Sequence, residues 1–340
     1  MSNSSARRGA GGRLAVAGRL RRLTASAPEA KVRNEIWARA LRRPWSAQAD
    51  VGGVRVTSEV PNRAKWSEML WPLDTVARRW DMLAPHVQAF GPSDETPRPA
   101  VLLFHGCAGI RPHIYTYAKA AAAAGFRAFI IDSYEPRGWS QAYATTFVCS
   151  GAMFWGRERA GDVLAAVWGL SQDAGVDATR MSLAGWSHGS WSIMDLMTMP
   201  LEKPGEAGLA DATPECLAGV KSLFLLYPYG GPGALSRSRP WVRAPETYGV
   251  VAEKDHLTAQ ADALRIFDAP KQLHPDVDVW IAPGTHAFDA PGHEGFPSPM
   301  RYDPELAEGC LDRFLGFLRR TLEPPSMGFL LRASGESLDA

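Results

Sequence analysis

The chain has 340 residues, a formal net charge of +1, 46% hydrophobic and 21% charged residues. That length fits one large domain or two small ones, and the composition excludes a low-complexity or collagen-like chain. A charge so near zero does not point to nucleic acid, and no run approaches the ~18 apolar residues that a membrane span needs, so neither partner is expected.

Residues 1–43 hold eleven Lys/Arg and only two Glu, and residues 1–48 read as a basic, solvated extension. Its uncharged stretch Leu14–Gly18 is too short for a signal-peptide core. Glu35–Leu41 reads as a short docking helix. Val54–Val60 alternates apolar and polar residues and reads as a first strand, Trp66–Val87 as mixed strand and helix, and Pro92–Arg98 as a linker.

From residue 99 the pattern becomes regular. Ala100–Phe104 is a continuous apolar run, as expected of a strand buried on both faces. Tyr115–Ala124 reads as an alanine-rich helix stopped by Gly125, Arg127–Ile131 as a strand, Glu158–Gln172 as an amphipathic helix. Arg180–Ala184 is a strand, Ser190–Met197 a helix, Val220–Tyr227 and Thr247–Ala252 strands, His256–Phe267 a helix, Val277–Ala282 a strand, and Pro304–Leu322 a final helix. Strands alternating with helices at this spacing predict an α/β protein with a doubly wound, mostly parallel sheet. The domain is expected to span 49–324, followed by a tail over 325–340. Four scattered cysteines (Cys107, Cys149, Cys216, Cys310) without a C-x-x-C read as reduced thiols in a cytoplasmic protein.

Ligands of such sheets bind at the carboxyl ends of the strands, so residues just past each strand carry the functional reading. Gly185-Trp186-Ser187-His188-Gly189 stands between strand and helix. G-x-S-x-G in that setting is a nucleophile elbow: a tight turn lifts the serine hydroxyl above the sheet, and the glycines let strand and helix nearly touch. Glu253-Lys254-Asp255 follows the next strand but one; Asp255 is the candidate acid, with Glu253 second. His286 follows the strand at 277–282 and is the candidate general base. The order Ser187, Asp255, His286 is that of α/β-hydrolases. The turn His105-Gly106-Cys107-Ala108-Gly109 can aim the Cys107 N–H at the site, and with the His188 N–H it would form an oxyanion hole. No metal-ligand spacing, Walker loop or G-x-G-x-x-G after a strand occurs, so no metal or cofactor is expected.

Together His105–Gly109, Asp132-Ser133-Tyr134-Glu135-Pro136-Arg137-Gly138, the elbow, Tyr227-Pro228 and Gly284-Thr285-His286-Ala287-Phe288 resemble the dienelactone hydrolase family. The resemblance implies an α/β-hydrolase fold with long loops over the site and no large cap domain, and a cofactor-independent Ser-His-Asp hydrolase of small esters or lactones. It also implies a place for Arg137 near an acidic substrate. The family's own nucleophile is cysteine; here it is Ser187, which favours a general serine esterase. The aromatic loops Tyr134–Arg157 and Gly230–Tyr248 suggest a substrate pocket with Trp139, Trp155 and Trp186. An acyltransferase using the same residues, and a binding protein on a hydrolase scaffold, are the alternatives.

Overall fold

The computed structural model describes residues 73–323 apart from 244, 274–276 and 293–298. The extension over 1–48, the helix Glu35–Leu41, the strand Val54–Val60 and the tail over 325–340 lie outside the described residues.

In chain order the elements are α1 (Val76–Leu83), β1 (Gln88–Phe90), β2 (Arg98–Phe104), α2 (Pro112–Ala123), β3 (Arg127–Ile131), α3 (Gln141–Phe147), α4 (Gly156–Leu170), β4 (Val176–Trp186), α5 (His188–Met197), β5 (Val220–Leu226), β6 (Glu246–Lys254), α6 (Gln260–Leu273), β7 (Val277–Thr285) and α7 (Pro304–Leu322). The strands form one sheet in the order β1-β3-β2-β4-β5-β6-β7. All neighbours run parallel except β1, which pairs antiparallel with β3. The expected doubly wound α/β sheet is therefore present. The linker reading of Pro92–Arg98 and the mixed reading of Trp66–Val87 left β1 unseen, because three residues (Gln88–Phe90) are too few to show a period.

The alternation of side chains along each strand divides the apolar residues between two cores. On one face Ala100, Leu102 and Phe104 of β2 and Leu183 of β4 pack with α1, α4, α5 and α6. On the other face Val101 and Leu103 of β2 and Ala184 and Trp186 of β4 pack with α2 and α7. Burial on both faces explains the unbroken apolar run of β2.

The long loop expected over Tyr134–Arg157 contains α3. Its sequence carries helical signals: Ser140 Oγ accepts the Tyr143 N–H at 3.2 Å as an N-cap. Trp139, Tyr143 and Phe147 recur every fourth residue and pack as tilted rings, with centroids 5.5 and 4.7 Å apart. The reading of four reduced thiols is corrected. Cys107 and Cys149 form a disulfide, with Cα atoms 5.1 Å apart, because α3 folds back over the turn after β2. Pairing needs closeness in space and not in sequence. Cys216 and Cys310 are free. Among the described residues no helix is long and apolar enough to cross a membrane.

The central crossover rests on close contact between strand and helix. A Cβ at Gly189 would stand 2.0 Å from the Phe104 carbonyl oxygen, and one at Gly185 would stand 2.5 Å from the Ser190 nitrogen. Neither backbone group can retreat without parting β2, β4 and α5. Gly189→Ala is therefore expected to lower the unfolding free energy by about 3 kcal/mol or more, measured by guanidinium denaturation. Stability within about 1 kcal/mol of the wild type would show that the elbow can relax.

Candidate active site

Parallel register brings the ends of β2, β4, β6 and β7 to one edge of the sheet. Ser187 sits between β4 and α5 with φ 52° and ψ −107°, a strained conformation for a residue with a Cβ. The strain is held by its N–H donating to the Leu226 carbonyl at 3.0 Å. Ser190 Oγ, one turn on, donates to the Gly185 and Leu226 carbonyls.

His286 lies in the turn after β7. Its Nε2 is 2.9 Å from Ser187 Oγ and its Nδ1 is 2.7 Å from Asp255 Oδ2. Both side chains of the His286–Asp255 pair are almost fully buried. The other oxygen of Asp255 accepts the N–H groups of Leu257 at 2.7 Å and Thr258 at 3.1 Å. Burial alone would raise this carboxyl; the His286 ring and the two backbone donors hold it below the ordinary carboxylate value. Ser187, His286 and Asp255, singled out from three separate strand ends, thus meet in one hydrogen-bonded line. Glu253 is exposed.

The turn after β2 passes beside the serine: a Cβ at Gly106 would stand 3.7 Å from Ser187 Cβ. Cys107, Ser187 and His188 border the same cleft, of about 330 Å³. His188 opens α5, where the first N–H groups have no intrahelical acceptor. The His188 ring belongs to a buried network. Its Nε2 contacts the Phe154 carbonyl at 2.7 Å, and its Nδ1 faces Arg159 at 3.1 Å. Arg159, fully buried, also donates to Ser133 Oγ and to the His105 carbonyl. It therefore ties the ends of β2 and β3 to α5.

Of the four residues expected to touch substrate, only Trp155 borders this cleft. Trp186 follows the strand alternation to the opposite face, where its indole N–H donates to Asp289 at 3.0 Å and its ring packs on Tyr117. Trp139 packs among Tyr134, Tyr143 and Phe154. Arg137 donates from both ends of its guanidinium to Asp162 at 2.8 and 2.9 Å, and to the Ser133 carbonyl. Asp162 is fully buried and also accepts from Arg79. Burial would raise its carboxyl, but the Arg137 and Arg79 charges hold it below the ordinary value. Arg137 is thus spent on the scaffold, through a partner 25 residues away.

Sequence reasoning missed Trp191 and Tyr229, which line the cleft. Trp191 stands four residues past Ser187, one turn along the same helix face, and that spacing is a legible signal. Asp289 gave none. Its buried carboxylate accepts from Tyr227 Oη at 2.6 Å as well as from Trp186, so it ties the histidine turn to β4 and β5. Among the described residues no cluster of three or more His, Cys, Asp or Glu could hold a metal ion.

Two buried histidines, His105 beside the turn after β2 and His188 at the start of α5, are held in their neutral forms. Burial, reinforced by the Arg159 charge, pushes His188 down to about 3 and His105 well below its ordinary value of 6.5. The unfolded chain therefore binds more protons than the native one between about pH 3 and 6.5, so stability rises with pH there and is lost on acidification. Each histidine contributes at most about 1.4 kcal/mol per pH unit. Denaturant unfolding between about pH 6 and 4.5 is expected to show a steeper loss for wild type than for His188→Gln; equal slopes would refute this account.

No protein-family model matches the chain, and no curated protein matches its sequence. Solved structures do share its fold. Esterase 2 of Thermogutta terrifontis, phosphorylated by paraoxon, is 17% identical with a TM-score of 0.50, covering 70% of this chain and 90% of its own. The dienelactone hydrolase-like promiscuous phosphotriesterase P91 from metagenomic libraries is 15% identical with a TM-score of 0.50, covering 69% of this chain and 92% of its own. The fold is the α/β-hydrolase fold.

Proposed function

We propose that the protein is a cofactor-independent serine hydrolase of uncharged carboxylic esters or lactones. The observation that carries this reading is the line from Ser187 Oγ through His286 to Asp255, with links of 2.9 and 2.7 Å. In the proposed mechanism His286 Nε2 takes the serine proton as Oγ attacks the carbonyl carbon. Asp255 holds the Nδ1–H, fixing the tautomer and stabilising the imidazolium. The N–H groups of Cys107 and His188 receive the oxyanion; losing one such donor would cost roughly 3–4 kcal/mol in the barrier. The tetrahedral intermediate collapses, the alcohol leaves with the proton from His286, and water attacks the acyl-enzyme by the same steps.

The cleft supports the choice of substrate class. Trp155, Trp191, Tyr229, Val148 and Leu257 supply its apolar walls, and no Asp, Glu, Lys or Arg is among its described lining residues. The Arg137 that the family resemblance would aim at an acidic substrate is neutralised by Asp162. An anionic acyl chain would lose its hydration against these walls, and the Arg157 guanidinium beside them lies over the Trp155 ring at 4.3 Å.

Turnover of p-nitrophenyl acetate is expected to fall by at least about 10³-fold in Ser187→Ala, with circular dichroism unchanged. Paraoxon should inactivate the wild type by phosphorylating Ser187 and releasing p-nitrophenolate, and peptide mapping locates the adduct. Equal turnover in both proteins, or an adduct elsewhere, would remove Ser187 from the reaction. Within an aryl ester series, kcat/KM for a neutral butyrate should exceed that for the matching hemisuccinate by about tenfold or more. The reverse preference would refute the uncharged substrate class.

A further inference from the structure

The disulfide Cys107–Cys149 joins two parts of the cleft, the turn after β2 and the segment after α3. Cys107 belongs to the turn after β2, whose inner hydrogen bond is Gly109 N–H to the Gly106 carbonyl at 3.2 Å. Cys149 follows α3, and residues 148–151 form one wall of the cleft. That wall is lightly built. Its own buried cluster is Tyr134, Ala144, Val148 and Phe154, with Cys107 packed against it. Its side-chain hydrogen bonds are mostly local, Tyr143 to Met153, Ser150 to Thr146 and Trp155 to Gly151, and the long-range one is His188 Nε2 to the Phe154 carbonyl. The covalent bridge spans 42 positions of sequence and ends at the backbone unit assigned to the oxyanion.

We propose that this disulfide is a positioning element of the reaction. It holds the Cys107 N–H toward the oxyanion and keeps the wall 148–151 closed against Trp155, and its reduction disables the site. The inference rests on the reading of Ser187 as the nucleophile. Both sulfurs are within reach of a small reagent, since Cys149 is exposed, Cys107 is half-buried, and both border the cleft. Exposed bridges of this kind are the reducible ones. A dithiol such as dithiothreitol attacks one sulfur; two electrons and two protons pass to the protein, giving two cysteine thiols and the cyclic disulfide of the reagent. Oxidised glutathione reverses the step and leaves as two reduced glutathiones. The other cysteines do not compete: Cys310 is fully buried, and burial pushes its thiol far up, while Cys216 stands beside Thr213 on another loop. The site would then be competent in an oxidising compartment and impaired in a reducing one.

The test uses the full chain, oxidised, reduced with dithiothreitol, and reoxidised with oxidised glutathione. Thiols are titrated in denaturant at each stage, and Ser187→Ala provides the background rate. The oxidised protein should show two thiols and the reduced protein four. Reduction should lower kcat by about tenfold or more, as expected for a displaced oxyanion donor, with a smaller rise in KM, and reoxidation should restore both. Cys149→Ser should match the reduced enzyme and ignore dithiothreitol, whereas Cys216→Ser should respond as the wild type does. Hydrogen exchange supplies a readout independent of turnover: on reduction, peptides covering 106–109 and 141–151 should lose protection while those of β4 and β5 keep it. Four thiols after glutathione treatment would overturn the proposal. So would a reduced protein with kcat and KM within twofold of the oxidised one, or unchanged exchange at both segments. An oxidised protein with an intact bridge, the expected exchange pattern and no turnover above Ser187→Ala would instead overturn the hydrolase reading and leave the clamp standing.

Discussion

The contact between the first turn of α5 and the end of β2 is the constraint on which the site depends. With no side chain at 189, the helix approaches until its backbone rests on the Phe104 carbonyl. Only at that separation is Ser187 forced to a positive φ, with its hydroxyl raised toward His286 and the helix N-terminus turned to the cleft. An unusual torsion at a residue with a Cβ costs about 1–3 kcal/mol. The apolar packing of β2, β4 and β5 on both faces is what absorbs it.

Two buried polar networks brace this turn from opposite sides of the sheet. On one side Arg159 joins His105, Ser133 and His188; on the other Asp289 joins Tyr227 and Trp186. Polar groups so deep are tolerated because they find partners, and removing one partner strands the rest. Each network links the ends of different strands, so the geometry of the three candidate catalytic residues is set by the scaffold as a whole. A third network, Asp162 with Arg79 and Arg137, does the same for α1, α4 and the turn after β3.

The fold was legible because its signals are local. The apolar run of β2, the alanine-rich α2 and the strand–turn–helix around Ser187 each declare themselves within about ten residues, and places just past two predicted strands, in the right chain order, brought Asp255 and His286 into consideration. What escaped was long-range. Asp289 contacts Trp186 across 103 positions and Arg159 reaches His105 across 54; no spacing in the chain announces such pairs. The same holds for Cys107 and Cys149, whose partnership depends on α3, a helix hidden in what read as loop. Trp186 is a different case. Its closeness to Ser187 in sequence suggested the cleft, yet strand alternation sends it with Ala184 into the opposite core, and that parity could have been read.

The two margins of the sheet formed by the described residues, β1 and β7, bear on how the protein behaves in company. β1 is three residues long, and β7 contains Pro283, which has no N–H to offer, and Asp278, which is held by Arg320. An incoming strand from another molecule would find too short a ladder on one side. On the other it would meet an interrupted, charged one. The parallel strands at the centre, with their long apolar runs, are those that would self-associate most readily if exposed. Among the described residues both ends of the sheet are thus poor templates for growth, although its core strands are almost wholly apolar.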